Sequence, residues 1–277
     1  IVRPSTALTI FVVFWCPDAY GGELVFQSEI VQGALILATA APEAVVLVDG
    51  RTVQVDDTGG FVFGLGRDHS PNLVVEAQFN DGTSAQRTLM VRQRHYPEQH
   101  IDNLPSRMVT PPAEVRERII REAKNVRAAR SHSSNANHIR GILIWPVSGA
   151  ITGIYGSRRV LNGEPRAPHY GIDIAAPLGA PVQTMATGIV RLASELYLSG
   201  NTVVVDHGNG VTSSYLHMQD ISVKENEMIS QGDVIGHVGA TGRATGPHLD
   251  WRINWFEVRL DPELVAGPQS TAGPSTN

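Results

Sequence analysis

Three short segments of the sequence hold most of the side chains that could do chemistry. In the first, His169 lies four residues before Asp173, in a stretch whose Pro168 and Gly171 predict a loop leading into a strand. An imidazole and a carboxylate this close together can bind one divalent metal ion. By itself the pair is weak evidence for a metal site, because a surface ion pair between histidine and aspartate is commoner.

The second segment, residues 246–251, contains His248 and Asp250. If this segment is a strand, alternate side chains share one face. His248 and Asp250 would then point together into a cleft, while Leu249 and Trp251 would face the core. The third segment ends an apolar strand with His217.

Two function classes are excluded by composition and motif. The glycine-punctuated loop at residues 239–246 lacks the lysine of a phosphate-binding P-loop, so it does not predict nucleotide binding. The net charge of −5 has none of the basic excess that is typical of nucleic-acid-binding proteins. His207 and His237 lie among strand residues, and we interpret both as structural.

Together, these segments resemble the lysostaphin/LytM-type zinc metallopeptidases. The resemblance covers about the last 120 residues of the 277. Its motifs are His169-x-x-x-Asp173, Tyr215-Leu216-His217 and the stretch 239–250, with supporting context at residues 145–149, 155–158 and 206–210.

The resemblance implies that His169 and Asp173 are metal ligands, and that His217 and His248 stand beside the bound water as catalytic residues. It also implies one Zn²⁺ per chain. The third ligand in this family is normally a histidine, but here that position is Asp250. A carboxylate is an acceptable zinc donor, and a harder, oxygen-rich site also suits Mn²⁺.

Asp250 leaves two interpretations open. In the first, it is the third ligand, and the protein is an exported zinc-dependent metalloendopeptidase that hydrolyses peptide bonds in peptidoglycan. One of His217 and His248 then takes a proton from water and the other stabilises the oxyanion, while Tyr155 and residues 158–164 wall the groove. In the second, Asp250 pairs with Arg252, no catalytic metal binds, and the protein binds the cell wall or activates a partner murein hydrolase.

The elements that must position these residues are mainly β. We predict a signal peptide at residues 1–21, because a basic residue precedes a short apolar run. An immunoglobulin-like β-sandwich follows at 24–107, a helical linker at 108–140, a β-rich LytM-type domain (similar to the duplicated hybrid motif) at 141–265 and a disordered tail at 266–277.

Two local patterns support this division. Asp49-Gly50 between two apolar runs predicts a type I′ hairpin. Val115, Ile119 and Val126 recur at helical spacing behind Thr110, a candidate helix cap.

Export would place the protein in the periplasm or outside the cell. The sole cysteine, Cys16, lies in the predicted signal, so no disulfide is expected. We expect peptidoglycan peptide as the substrate, other murein hydrolases as further partners, and neither nucleic acid nor a stable membrane anchor.

Overall fold

Short apolar segments separated by glycine turns form strands along most of the chain. The computed structural model describes residues 24–103, 111–134 and 136–269. The predicted signal peptide, the proposed cap Thr110 and residues 270–277 lie outside these ranges. The strands are β1 (Val25–Phe26), β2 (Leu35–Thr39), β3 (Val45–Val48), β4 (Arg51–Val53), β5 (Gly60–Gly64), β6 (Asn72–Gln78), β7 (Ser84–Met90), β8 (Glu98–Ile101), β9 (Ala150–Gly153), β10 (Arg158–Leu161), β11 (Glu164–Arg166), β12 (Ile172–Ala175), β13 (Pro181–Gln183), β14 (Gly188–Leu196), β15 (Gly200–Asp206), β16 (Val211–Met218), β17 (Asp220–Ile221), β18 (Met228–Ile229), β19 (Val234–His237), β20 (Leu249–Trp255) and β21 (Val258–Leu260).

The first half of the chain forms two sheets, with strand orders β1-β2-β5 and β4-β3-β6-β7. Ile36 and Phe63 from the first sheet and Val46 and Leu73 from the second are buried in one apolar core. This arrangement is consistent with the predicted sandwich, and its immunoglobulin-like character stays a prediction. The β3–β4 hairpin turns at Asp49-Gly50, where both residues have positive φ (45° and 77°), as a type I′ turn requires.

The second half is built on an eight-stranded sheet of order β18-β14-β15-β16-β20-β12-β9, with β21 paired to β20, and a smaller sheet of order β13-β19-β17. The mainly β fold is as predicted. On β20, Leu249, Trp251 and Ile253 are fully buried in the core. The alternate residues, including Asp250, therefore point to the opposite face of the sheet.

Two α-helices lie among the described residues: α1 (Arg116–Ser131) and α2 (Pro262–Ala266). Helix α1 contributes Val126 and Ala129 to a small apolar cluster with Leu192, Leu196 and Val204 of the large sheet. The linking helix was predicted, but its packing partner was not. No helix among the described residues is long and apolar enough to cross a membrane.

The two halves of the chain share a sheet and are also joined by polar contacts. Strand β8 pairs in parallel with β10 of the second half. Arg67 Nε donates to the Gly156 carbonyl at 2.7 Å, and Arg94 forms a 2.7 Å ion pair with the buried Asp261. The domain boundaries predicted at residues 107 and 140 stay predictions. Strand β8, which lies before both boundaries, is paired with β10, which lies after both.

At the carboxyl end, α2 is capped by Asp261, which accepts from the Glu263 amide. Trp145 Nε1 donates to the Gly267 carbonyl at 3.0 Å. The first residues of the segment predicted as a tail are therefore tied to the fold.

Candidate metal centre

Two neighbouring strands bring the carboxylates of the site together. Asp173 on β12 and Asp250 on β20 are direct cross-strand partners in an antiparallel ladder. Like charges placed opposite one another repel, so positive charge close to this pair is stabilising. The loop before β12 supplies His169, whose amide donates to the Ser157 carbonyl at 2.9 Å.

His169, Asp173 and Asp250 could hold a metal ion, and we call these three residues the metal cluster. One donor atom from each lies within 4.8 Å of the others. His169 Nε2 is 3.1 Å from Asp173 Oδ1 and 3.6 Å from Asp250 Oδ2. Among the described residues, both ring nitrogens of His169 and Oδ1 of Asp173 are buried without a hydrogen-bond partner. Unpartnered polar atoms that converge on one point fit a divalent cation.

Each carboxylate of the metal cluster also binds an arginine. Arg159 Nη2 donates to Asp173 Oδ2 at 2.6 Å. Arg252 holds Asp250 through both oxygens, from Nε at 2.8 Å and from Nη2 at 2.5 Å. A carboxylate has about four lone-pair sites, so these bonds leave acceptor capacity for a metal.

The pKa values in the metal cluster reflect this concentration of charge. Burial lowers the pKa of His169, but its close contacts with Asp173 and Asp250 outweigh burial and raise it overall. Burial raises the pKa of Asp250, but Arg252 outweighs burial and holds it well below its usual range. Burial and the neighbouring Asp250 raise the pKa of Asp173, but His169 and Arg159 together outweigh them and lower it overall. Both carboxylates are therefore ionised.

His217 and His248 form a pair beside the metal cluster, with ring centroids 4.9 Å apart. Each Nδ1 lies 2.8 Å from a backbone carbonyl, that of Thr241 for His217 and that of Gly246 for His248. Because a carbonyl only accepts, each Nδ1 carries a proton, and Nε2 is the free acceptor of the neutral ring. His248 Nε2 lies 3.9 Å from Asp173 Oδ1.

His217 is the more enclosed of the two rings. It sits near the end of β16 with a φ of 65°, a rare conformation for a residue with a side chain. Burial lowers the pKa of His217, so the neutral form is favoured in the folded protein.

A cavity of about 610 Å³ opens over these groups. Its lining includes the metal cluster, both histidines and residues 243–247. The predicted strand pattern of residues 248–251 is confirmed, since Leu249 and Trp251 are in the core while His248 and Asp250 line the cavity.

Residues 167–262 match the family model of Peptidase family M23, a metallopeptidase family. This part of the chain is an M23 domain. The predicted resemblance is therefore confirmed.

Curated relatives of the M23 peptidases match part of this chain. Peptidoglycan DD-endopeptidase ShyA of Vibrio cholerae is 45% identical over 87 residues, which are 31% of this chain and 20% of that protein. DD-carboxypeptidase/endopeptidase Mpg of Neisseria meningitidis is 41% identical over 100 residues, or 36% of this chain and 23% of that protein. The chain thus spans about a fifth to a quarter of the length of these relatives.

One solved structure resembles nearly the whole fold. A Pseudomonas aeruginosa protein described as an M23 peptidase superposes with a TM-score of 0.67 and 27% identity, over 87% of this chain and 96% of that one. The likeness extends well beyond the M23 domain, so the first half of the chain follows that fold as well.

Within the M23 domain, the structure brings together every residue predicted for the site: His169, Asp173, His217, His248 and Asp250. Their roles as ligands and catalytic residues stay predictions.

Other histidines of the M23 domain lie apart from the cluster. His207 is buried, with Nδ1 2.9 Å from the Thr187 carbonyl and Nε2 2.7 Å from Ser213 Oγ. His237 pairs with Asp220 at 2.8 Å. Both fit the structural interpretation.

One prediction about the groove was wrong. Tyr155 does not wall the groove, because it is buried in the core and its hydroxyl donates to the Arg259 carbonyl at 2.8 Å. Arg159 and Leu161 from the neighbouring β10 do line the cavity.

Sequence analysis missed Arg159 as a partner of Asp173. It lies in a different sheet from β12, and no local pattern connects the two. The contact between Arg252 and Asp250 could be predicted from sequence, because residues two apart on a strand share a face.

Proposed function

We propose that this protein is an exported, zinc-dependent endopeptidase that hydrolyses peptide bonds in peptidoglycan. The observation that carries the proposal is the convergence of His169, Asp173 and Asp250 beside two histidines, in an M23 domain. Curated relatives of that domain are peptidoglycan DD-endopeptidases, which supports peptidoglycan as the substrate.

The donor chemistry suits zinc. A nitrogen and two carboxylate oxygens form a three-ligand set, and catalytic zinc sites use three protein ligands with one position left for water or substrate. A bound zinc ion would supply Lewis acidity, polarising a carbonyl and acidifying a water molecule. With a carboxylate in place of a second histidine ligand, the bound ion is less electrophilic. The additional oxygen donor also makes the site more suitable for Mn²⁺.

The two histidines would supply the proton transfers. In the neutral rings, the Nδ1 protons are held by the Thr241 and Gly246 carbonyls, so both Nε2 atoms can accept a proton. One ring would take a proton from the attacking water, and the other, once protonated, would donate to the developing oxyanion. The lowered pKa of His217 keeps that ring neutral near pH 7.

A cell-wall substrate requires export. The basic and apolar start of the sequence supports a signal peptide and a periplasmic or secreted location. Peptide stems or crossbridges at the envelope are the substrates that such a location offers.

A second candidate is a regulator that binds the wall or activates another murein hydrolase without cleaving. The observation that favours it is the charge balance of the metal cluster. Arg159 and Arg252 already neutralise the two carboxylates, so a divalent cation gains less Coulombic energy there than it would beside unpaired acids.

Zinc binding and peptidoglycan cleavage separate the two functions. We expect about one zinc per chain by elemental analysis and soluble fragments from purified peptidoglycan. His169→Ala should lose both zinc and cleavage, whereas His217→Ala should keep zinc and lose cleavage. His237→Ala is the matched control, because His237 pairs with Asp220 away from the metal cluster. A folded protein that takes up neither zinc nor manganese and leaves the wall intact would refute the hydrolase.

A further inference from the structure

A second cavity, of about 470 Å³, lies between helix α1 and the large sheet. It adjoins the first, because His217, Asp250 and Arg252 line both. Its lining is strongly basic and includes Arg127, Arg130, Arg159, Arg243, Arg252 and Arg259.

The acidic residues of this second cavity are engaged with particular cations. Asp250 is held by Arg252, and Glu257 pairs with Arg51 at 3.0 Å. Glu122 pairs with Arg118 and also accepts from the Tyr197 amide at 2.8 Å. Among the described residues, none of these three carboxylates forms an ion pair with Arg130 or Arg259.

Arg130 and Arg259 both line the second cavity. Arg130 comes from the last turn of α1, and its Nη2 donates to Ser214 Oγ at 3.5 Å. Arg259 comes from β21 and stacks 5.7 Å from the Tyr170 ring. Arg130 Nε and Arg259 Nη1 are buried atoms with no hydrogen-bond partner among the described residues.

These cations also repel one another. Burial and then the neighbouring Arg259 and Arg252 lower the pKa of Arg130 well below its usual range. Burial and Arg252 lower the pKa of Arg259 to about 10. Half-buried guanidinium groups that repel each other, and that each hold a buried nitrogen without an acceptor, are arranged to receive an anion.

We propose that Arg130 and Arg259 bind a carboxylate group of the peptide ligand in the second cavity. The proposal rests on the proposed function for the identity of the peptide, and it names the chemistry that holds that peptide. Guanidinium groups match a carboxylate in planar geometry and can bind it through two hydrogen bonds. The shared lining at His217 and Asp250 would let one peptide place its carboxylate here and an amide bond at the metal cluster.

The probe is a soluble peptidoglycan stem peptide with free carboxylates, compared with the same peptide whose carboxylates are converted to carboxamides. Binding to the full chain is measured by calorimetry in the presence of EDTA, so that cleavage does not contribute. We expect Arg130→Gln and Arg259→Gln each to weaken binding of the free peptide about tenfold, as for the loss of a charged hydrogen bond. Binding of the carboxamide peptide should be weaker and unchanged by either substitution.

Arg121→Gln is the matched control, because Arg121 is an exposed arginine of the same helix that does not line the cavity. It should leave both affinities unchanged. Equal binding of the two peptides by the unsubstituted protein would overturn the proposal. So would tight binding of inorganic phosphate in place of the peptide, or an Arg121→Gln loss equal to that of Arg130→Gln.

This test is separable from that of the proposed function. If the protein binds the free peptide through Arg130 but never cleaves the wall, the carboxylate site is supported and the hydrolase function is refuted. If the protein cleaves the wall but binds the free peptide and the carboxamide peptide equally well, the hydrolase function is supported and the carboxylate site is refuted.

Discussion

Arg252 donates hydrogen bonds to both oxygens of Asp250, two residues earlier on the same strand. The Asp250 carboxylate is almost fully buried, and the Arg252 side chain is 24% exposed. The resemblance to LytM-type peptidases places a metal-binding histidine at position 250, whereas this chain has a carboxylate bound to a guanidinium. Asp250 is the partner of Arg252 and, in the proposed function, a metal ligand, so we expect the metal cluster to be sensitive to changes at residue 252.

Arg252→Met should make stability depend on metal. Without metal, we expect the free energy of unfolding to fall by about 3 kcal/mol, because the substitution leaves a buried carboxylate without its partner. Zinc should restore much of that loss, since Asp250 is then free to bind it. Urea denaturation with EDTA and with zinc measures both effects.

Arg51→Met is the control for that experiment, because Arg51 pairs with the exposed Glu257. We expect it to cost less than about 1 kcal/mol, with no response to zinc. Equal stabilisation of Arg252→Met and Arg51→Met by zinc would contradict the interpretation.

Asp250→His should retain or raise both zinc content and the rate of wall cleavage. An imidazole is a neutral donor, so it leaves the ion more electrophilic than a second carboxylate does. Asp250→Asn is the comparison, and we expect it to lose zinc. Elemental analysis and a peptidoglycan release assay report the two quantities. If zinc content and rate are untouched by both substitutions, residue 250 is not a ligand.

His207 should make the fold sensitive to acid. Burial lowers its pKa from 6.5 to about 4, so the unfolded chain binds a proton before the folded chain does. The contribution of neutral His207 to the free energy of unfolding is therefore full above pH 6.5 and is lost as the pH falls towards 4. The loss over that window is about 3 kcal/mol, at 1.36 kcal/mol per pH unit.

Urea denaturation across this pH range tests the effect of His207. In His207→Gln, the corresponding part of the slope should disappear. A variant whose stability falls with pH as steeply as that of the unsubstituted protein would show that another group is responsible.

Gly153→Ala should damage the metal cluster through Asp173. A Cβ atom at position 153 would lie 2.1 Å from Asp173 Oδ2 and 2.7 Å from its Cγ, so the carboxylate must move. We expect zinc affinity to drop about tenfold, since metal sites tolerate little displacement of a ligand. Gly141→Ala, which has open space around the added atom, is the control for calorimetric titration with zinc. Equal zinc affinities in the two variants would count against Asp173 as a ligand.

The parts of the site that lie on one strand could be predicted from sequence. Alternation on a buried strand is a strong signal, and it placed His248 and Asp250 on the cavity face opposite Leu249 and Trp251. The Asp49-Gly50 turn was equally predictable, because few sequences favour two consecutive positive φ values.

Features created by distant segments could not be predicted. Arg159 reaches Asp173 from another sheet, and Arg130 approaches from a helix whose docking surface the sequence does not specify. Tyr155 shows a different limit, since an aromatic ring with a hydroxyl suits a groove wall and a hydrogen-bonded core equally well.

The parallel ladder of β8 and β10 bears on how the protein can be divided for expression. Arg159 lies opposite Gln99 in that ladder. A second half cut free of the first would expose the backbone of β10, the strand that carries the Asp173 partner Arg159, as an open edge. An open strand edge is a template for aggregation. The smallest unit that preserves the site therefore includes residues from β8 onward.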